Sequence, residues 1–109
     1  MEIYDYVTLG GKNLITDYID SLPASERLEL YDIRNEIRES GLDAFEKLNT
    51  RQLRGKLWEI KASQTRIMYI VISTNGVAFL HICKKQKGKA EKQEIEYVLE
   101  QGRKEQLHS

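Results

Sequence analysis

The sequence has few of the residues that build covalent or metal-based frameworks. Its one cysteine, Cys83, excludes an intrachain disulfide and cannot by itself build a zinc site. No apolar run approaches the roughly 20 residues that a membrane span needs. The N-terminal stretch MEIYDYVTL also lacks the basic-then-apolar layout of a signal peptide. We therefore expect a cytoplasmic protein with no membrane partner.

The chain also has no net charge, because 17 basic residues balance 17 acidic ones. A neutral chain argues against a protein that coats nucleic acid with its whole surface, although a local basic patch remains compatible with a polyanion. With 109 residues, of which 40% are apolar and 31% charged, the composition predicts one folded domain over residues 1–109 and not a disordered chain.

The two signs of charge are separated along the chain. The segment from Arg51 to Lys89 holds nine basic residues and a single acidic one, Glu59. The fifty residues before it hold five basic and eleven acidic residues. The chain is therefore a charge dipole, and any anionic ligand is expected at the basic segment.

The N-terminal half carries one strand pattern and two helix patterns. Residues Glu2 to Leu9 alternate as in a strand, which Gly10-Gly11 ends. Asn13 can cap a helix whose apolar positions continue to Leu22. A second helix is predicted from about Ser25 to Ser40, with Gly41 as its C-terminal cap. The charged side chains on this second helix are expected to form a solvated surface: Glu26, Arg27, Glu29, Arg34, Glu36, Arg38 and Glu39.

Three antiparallel strands are predicted next, at Leu57–Lys61, Thr65–Ser73 and Val77–Cys83, with Asn75-Gly76 as a hairpin signal. A two-residue turn there sets a register that pairs Ile72 with Phe79, Ile70 with His81, Met68 with Cys83 and Arg66 with Lys85. Directly opposed residues share a face. One face would therefore carry Arg66, His81 and Lys85. The other would pack against the two helices through Ile67, Tyr69, Val71, Leu80 and Ile82, together with Trp58 and Ile60.

The chain is predicted to end in a loop over Lys84–Lys89 and a helix from Ala90 to about Gln106. Ile95, Val98 and Leu99 form the buried stripe of that helix. The predicted class is α+β, in the order N-terminal strand, two helices, three-stranded antiparallel meander and C-terminal helix.

Three cations, Lys61, Arg66 and Lys85, converge at the end of the predicted hairpin. Their mutual repulsion is relieved if a polyanion binds there. Cleavage of RNA by its own 2′-hydroxyl develops negative charge on phosphate oxygens, which preorganised cations stabilise without a metal. Arg offers a planar fork for phosphate, and Lys offers a compact charge. A solvated face, or a docking patch for an acidic partner, is the alternative interpretation.

Other chemistries have little support in the sequence. His81 lies within a strand and His108 lies at the C-terminus, and neither has a ligand or triad partner at a recognisable spacing. Cys83 has lysines beside it that could lower its thiol pKa, but a core-strand cysteine usually packs. We therefore predict no metal site and no cofactor.

The runs LRGKLWEIK, TRIMYIVI and VAFLHICKKQKGK, and the helix EIEYVLEQ, resemble the RelE/ParE superfamily of bacterial toxins. Together with GGKNLITDYIDSLPASER, they are most similar to its HigB-type, phage Gp49-like branch. The resemblance implies a RelE-like fold and the toxin of a type II toxin–antitoxin system, a metal-independent endoribonuclease that cleaves ribosome-bound mRNA. It also implies a cognate antitoxin of HigA-like helix-turn-helix type, through which the toxin would reach operator DNA indirectly.

Carried over by motif position, the resemblance implies that the catalytic residues are Arg54, Lys61, Arg66 and Lys85. It implies RNA-binding roles for a wider basic set, namely Arg51, Lys56, Lys84, Lys87 and Lys89. Glu59 stands where RelE-like enzymes have a second lysine, and with His81 it is a possible base. Gly88, Lys89 and Ala90 replace a Thr-Pro that usually leads into the last helix.

Two other functions fit the same resemblance. A ParE-like toxin would poison DNA gyrase without cutting RNA. A non-catalytic relative would only bind nucleic acid or a protein partner.

Overall fold

The computed structural model describes the backbone of residues 1–108 and the side chains of residues 1–101. Four helices, one 3-10 turn and five strands follow one another in this part of the chain: β1 (Glu2–Asp5), α1 (Leu14–Asp20), α2 (Ala24–Ser40), the 3-10 turn (Gly41–Asp43), α3 (Ala44–Lys47), β2 (Thr50–Arg54), β3 (Leu57–Ala62), β4 (Thr65–Ser73), β5 (Gly76–Lys84) and α4 (Gly88–His108). The predicted α+β class is confirmed, and the arrangement is compatible with a RelE-like fold. No helix in the described residues is long and apolar enough to cross a membrane.

The strands form one mixed sheet in the order β1-β5-β4-β3-β2, in which β1 runs parallel to β5 and the other pairs are antiparallel. Strand β2 was not predicted. It is a mostly exposed edge strand whose polar residues give little of the alternation that marks a strand. Strand β1 ends at Asp5 instead of Leu9, because the chain turns back there and the Gly11 amide donates to the Thr8 carbonyl at 2.8 Å.

Local signals place the first two helices as predicted. The Asn13 side chain accepts hydrogen bonds from the amides of Ile15 and Thr16, both at 3.0 Å, which caps α1. Gly41 ends α2 with φ 63° and ψ −140°. A side chain is strained in that conformation, so glycine suits this position.

Two clusters of buried side chains hold helices on opposite faces of the sheet. The larger cluster joins α1 and α2 to one face through buried residues that include Ile15, Ile37, Ile60, Ile67 and Phe79. The smaller joins α4 to the other face through Leu57, Met68, Ile95 and Val98, with Leu99 partly buried against them. The predicted stripe of the last helix is therefore confirmed. On the first face, Trp58 and Val71 remain 36% and 40% exposed.

The predicted register of the β4–β5 hairpin was wrong. Ser73 faces Gly76, so Thr74 and Asn75 form the turn, and the irregularities leave Ile72 and Leu80 without direct partners. Arg66 consequently faces Cys83 instead of Lys85. This shift of two residues leaves its side chain on the predicted face, since strand side chains alternate with a period of two.

On β5, Phe79 and Leu80 lie on the faces opposite to those predicted, whereas Tyr69 on β4 keeps its predicted face. Phe79 faces Tyr69 and is fully buried in the larger cluster, whereas Leu80 packs against the smaller cluster under α4. A bulge reverses the facing of the residues beyond it, and no local pattern of residues marks these two bulges.

Arg34 does not belong to the solvated surface predicted for α2, because it is only 4% exposed. Its Nη1 and Nη2 atoms donate to the two carboxylate oxygens of Asp5, each at 2.8 Å. Asn13 donates to the same carboxylate at 3.1 Å, and the Arg34 guanidinium carbon lies 5.4 Å from the centroid of the Phe79 ring. This pair ties α2 to β1 on the face away from α4.

Candidate functional site

A cleft opens where the ends of β3, β4 and β5 meet the first turns of α4. Five cationic side chains line it: Arg51, Lys61, Arg66, Lys85 and Lys87. Three carboxylates line it as well: Glu59, Glu91 and Glu94. The cleft gathers five of the nine basic residues between Arg51 and Lys89, and two of its three carboxylates come from the chain beyond Lys89. We refer to it below as the basic cleft.

The sheet register brings the cations together. Lys61 on β3 faces Arg66 on β4, and Arg51 on β2 faces Glu59 on β3. Lys85 follows β5, and its amide donates to the Gln64 carbonyl in the β3–β4 turn at 2.7 Å. Three of the four residues predicted as catalytic, Lys61, Arg66 and Lys85, therefore line one cleft.

Glu59 lies buried beneath the cleft, with a side chain only 3% exposed. Its Oε1 atom lies 3.2 Å from Arg51 Nη2 and 3.9 Å from Arg66 Nε. A carboxylate placed there stabilises two neighbouring guanidinium groups. The geometry thus favours a role for Glu59 in positioning these arginines, and its role as a possible base stays a prediction.

Arg66 is held at several points. Its Nη1 atom donates to the backbone carbonyls of Ser63 and Thr65 at 2.9 and 3.0 Å, while its Nε atom faces Glu59. The side chain is 12% exposed. Its orientation is therefore fixed before any ligand arrives, which lowers the entropic cost of binding.

The N-terminal turns of α4 place acidic groups against the cations. Glu91 forms an ion pair and hydrogen bond with Arg51. Burial lowers the pKa of Arg51, but its contacts with Glu91 and Glu59 outweigh burial and raise that pKa. Glu91 and Glu94 were not predicted as site residues, because their partners Arg51 and His81 lie 40 and 13 residues earlier in the chain and no local pattern indicates these contacts.

His81, Cys83 and Glu94 meet beside the basic cleft. His81 Nε2 lies 2.7 Å from Glu94 Oε2, and the His81 ring packs at a tilt against Tyr97. Burial raises the pKa of the Cys83 thiol to about 11, the carboxylates of Glu94 and Glu59 add to the increase, and Arg66 opposes it. The expectation that nearby lysines lower this pKa was wrong, because burial is the largest influence on the pKa and the carboxylates of Glu94 and Glu59 add to it.

The other predicted site residues lie elsewhere. Arg54, Lys56, Lys84 and Lys89 are exposed and do not line the cleft. Lys84 faces Thr65 and follows Cys83 directly on β5, so its side chain points to the opposite side of the sheet from that of Cys83. His81 lines the neighbouring cavities instead, and the side chain of His108 lies outside the described residues. The functional roles of these residues stay predictions.

Comparison with known proteins gives one family. Residues 17–102 match the model of the family described as phage derived protein Gp49-like (DUF891). No curated protein matches the chain. The matched residues run from the first helix to the last and include every residue that lines the basic cleft. The chain therefore belongs to the Gp49-like family, a RelE/HigB-type toxin-like family.

Proposed function

We propose that this protein is the toxin of a type II toxin–antitoxin system and that it cleaves mRNA on the ribosome. Membership of the Gp49-like family supports a toxin. The observation that carries the ribonuclease activity is the convergence of Lys61, Arg66 and Lys85 in one cleft. Three cations that line one cleft can stabilise a phosphodiester whose negative charge grows during the reaction.

The cations divide into two kinds, which suggests two roles. Arg66 is fixed by backbone carbonyls and Glu59, so it offers a prearranged donor to a phosphate oxygen. Within the described residues, the ammonium groups of Lys61 and Lys85 have no carboxylate within ion-pair distance. They are free to follow the phosphate as the RNA 2′-hydroxyl attacks it. The reaction would need no metal, since these cations stabilise the developing charge.

A cognate antitoxin of helix-turn-helix type would neutralise the toxin. The acidic N-terminal half, with eleven acidic and five basic residues before Arg51, offers complementary charge to a basic segment of such a partner. Operator DNA would then be reached through the antitoxin and not by the toxin itself.

The test is induced expression without an antitoxin, with growth recorded and mRNA 5′ ends mapped. The informative variant is Lys61→Ala with Lys85→Ala, because neither side chain has an ion pair with residues 1–101, whose side chains the structure describes. The matched control is Lys12→Ala with Lys92→Ala, which removes two exposed lysines that do not line the cleft. Loss of one transition-state donor typically costs about 100-fold or more in rate.

Growth arrest with new in-frame mRNA ends, lost in the cleft variant and kept in the control, would support the proposal. Purified toxin should also cut mRNA in a reconstituted translation reaction that contains a zinc chelator. Arrest without new ends, together with blocked supercoiling by gyrase, would favour the ParE-like alternative. Unharmed cells would favour the relative that only binds a partner.

A further inference from the structure

We propose that His81, Cys83 and Glu94 form a zinc-binding site at the inner wall of the basic cleft. Each offers one ligand atom, and the three atoms all lie within 4.8 Å of one another. The cleavage proposed above needs no metal, so this site is separate from that chemistry and is tested without RNA.

Two features of the fold bring these residues together. His81 and Cys83 are two residues apart on β5, so their side chains point to the same face of the sheet. Helix α4 covers that face, since Ile95 and Val98 pack on it, and Glu94 precedes Ile95 directly. The sequence alone gives no such spacing, because the third ligand comes from another element.

The trio is ordered and still reachable from solvent. His81 and Glu94 have side chains 24% and 30% exposed, and Cys83 is half-buried. The contact of 2.7 Å between His81 Nε2 and Glu94 Oε2, and the packing of the His81 ring on Tyr97, fix the direction of two ligands. Little side-chain freedom remains to be lost when an ion binds.

The ligand set favours Zn²⁺. Imidazole nitrogen, thiolate sulfur and carboxylate oxygen are its usual ligands, at roughly 2.0 to 2.3 Å. Tetrahedral geometry at those lengths separates the ligand atoms by roughly 3.3 to 3.6 Å, so the His81–Glu94 contact must open by under about 1 Å. Three protein ligands leave the fourth position to water. On binding, the Cys83 thiol releases its proton to solvent and its sulfur bonds to the ion.

Charge at the site suits a dication of this kind. Glu94 and the buried Glu59 supply negative charge close to Cys83, and Arg66 supplies an opposing positive charge. Hard cations such as Mg²⁺ prefer oxygen ligands, so the nitrogen and sulfur donors should exclude them.

The test is titration of the whole protein with Co²⁺, which reports tetrahedral thiolate ligation through its absorption spectrum. We expect a thiolate-to-cobalt band that saturates at one equivalent and is removed by Zn²⁺ but not by Mg²⁺. Cys83→Ser should abolish the band. His81→Asn and Glu94→Gln should weaken binding at least about tenfold, the loss seen even for partners outside the coordination shell. The control is Glu96→Gln, on the exposed side of the same helix.

Absence of the band in folded wild-type protein would overturn the proposal. Equal Co²⁺ affinity in wild type, His81→Asn and Glu94→Gln would also overturn it, because Cys83 would then bind the metal alone. If Cys83→Ser fails to fold, the Glu94→Gln variant decides, since that side chain is 30% exposed and its replacement disturbs no core packing.

Discussion

Removal of one partner from the buried ion pair between Asp5 and Arg34 should destabilise the fold strongly. The side chains are 9% and 5% exposed and share two hydrogen bonds of 2.8 Å. Asp5→Ala would leave the Arg34 guanidinium buried without its acceptor. Removal of one partner from a buried pair typically costs about 3–5 kcal/mol. That is a large share of the roughly 5–15 kcal/mol that stabilises a domain.

Urea unfolding followed by circular dichroism measures this cost, with an unchanged m-value as the sign that only stability has changed. Asp5→Ala combined with Arg34→Leu should recover part of the loss, giving a coupling energy of about 1.5–3 kcal/mol. The control is Lys47→Ala, which breaks the exposed pair of Lys47 and Glu36 at 3.9 Å and should cost under about 1 kcal/mol. Equal costs for Asp5→Ala and Lys47→Ala would refute the reasoning.

Three further outcomes follow from single residues. Gly41→Ala should lower the free energy of unfolding by about 1–3 kcal/mol, because φ there is 63°. Gly10→Ala should change it little, because the new Cβ meets only an ordinary contact at 3.9 Å. Burial raises the pKa of Tyr69 to about 12, so the folded state keeps this proton after the unfolded chain loses it. The free energy of unfolding should therefore keep its full value below pH 10 and fall from there towards pH 12, by about 1.4 kcal/mol for each unit of pKa shift. In urea titrations at several pH values, Tyr69→Phe should flatten this fall. Glu91→Gln removes one of the two ion pairs of Arg51 and leaves the one with Glu59. The salt dependence of oligoribonucleotide binding, measured by anisotropy titrations, should therefore steepen by less than one counterion; an unchanged slope would mean that Arg51 does not contact phosphate.

Local signals in the sequence predicted most of the elements. Asn13 and Gly41 mark helix ends through their own backbone chemistry, and the bounds of β4 match the predicted Thr65–Ser73. What local signals did not predict was the pairing of the hairpin. Two irregularities, at Ile72 and Leu80, depend on how both faces of the sheet pack at once, and no short pattern reports that.

The same limit explains the errors at charged residues. Arg34 lies four residues after Leu30 and three before Ile37, so its spacing is that of the buried stripe of α2 and only its charge indicates a surface position. Its partner Asp5, 29 residues earlier, offsets that charge in the buried position. Acidic residues such as Glu91 and Glu94 are common at the positive N-terminal end of a helix, so their presence there does not indicate a contact with the sheet. Their contacts with Arg51 and His81 arise from the docking of α4 on the sheet, which depends on Ile95 and Val98.

The cleft that results is less positive than the sequence segment from which it is built. Three carboxylates offset five cations, and they act unequally. Glu59 and Glu91 occupy the two arginines, which are thereby held in place, while Lys61 and Lys85 keep their charge free of ion pairs within the described residues. A ligand that only neutralised charge would gain little binding free energy, because the internal carboxylates already neutralise much of the positive charge. A phosphodiester gains more, because it can meet prearranged arginine donors and free lysine charge in one place.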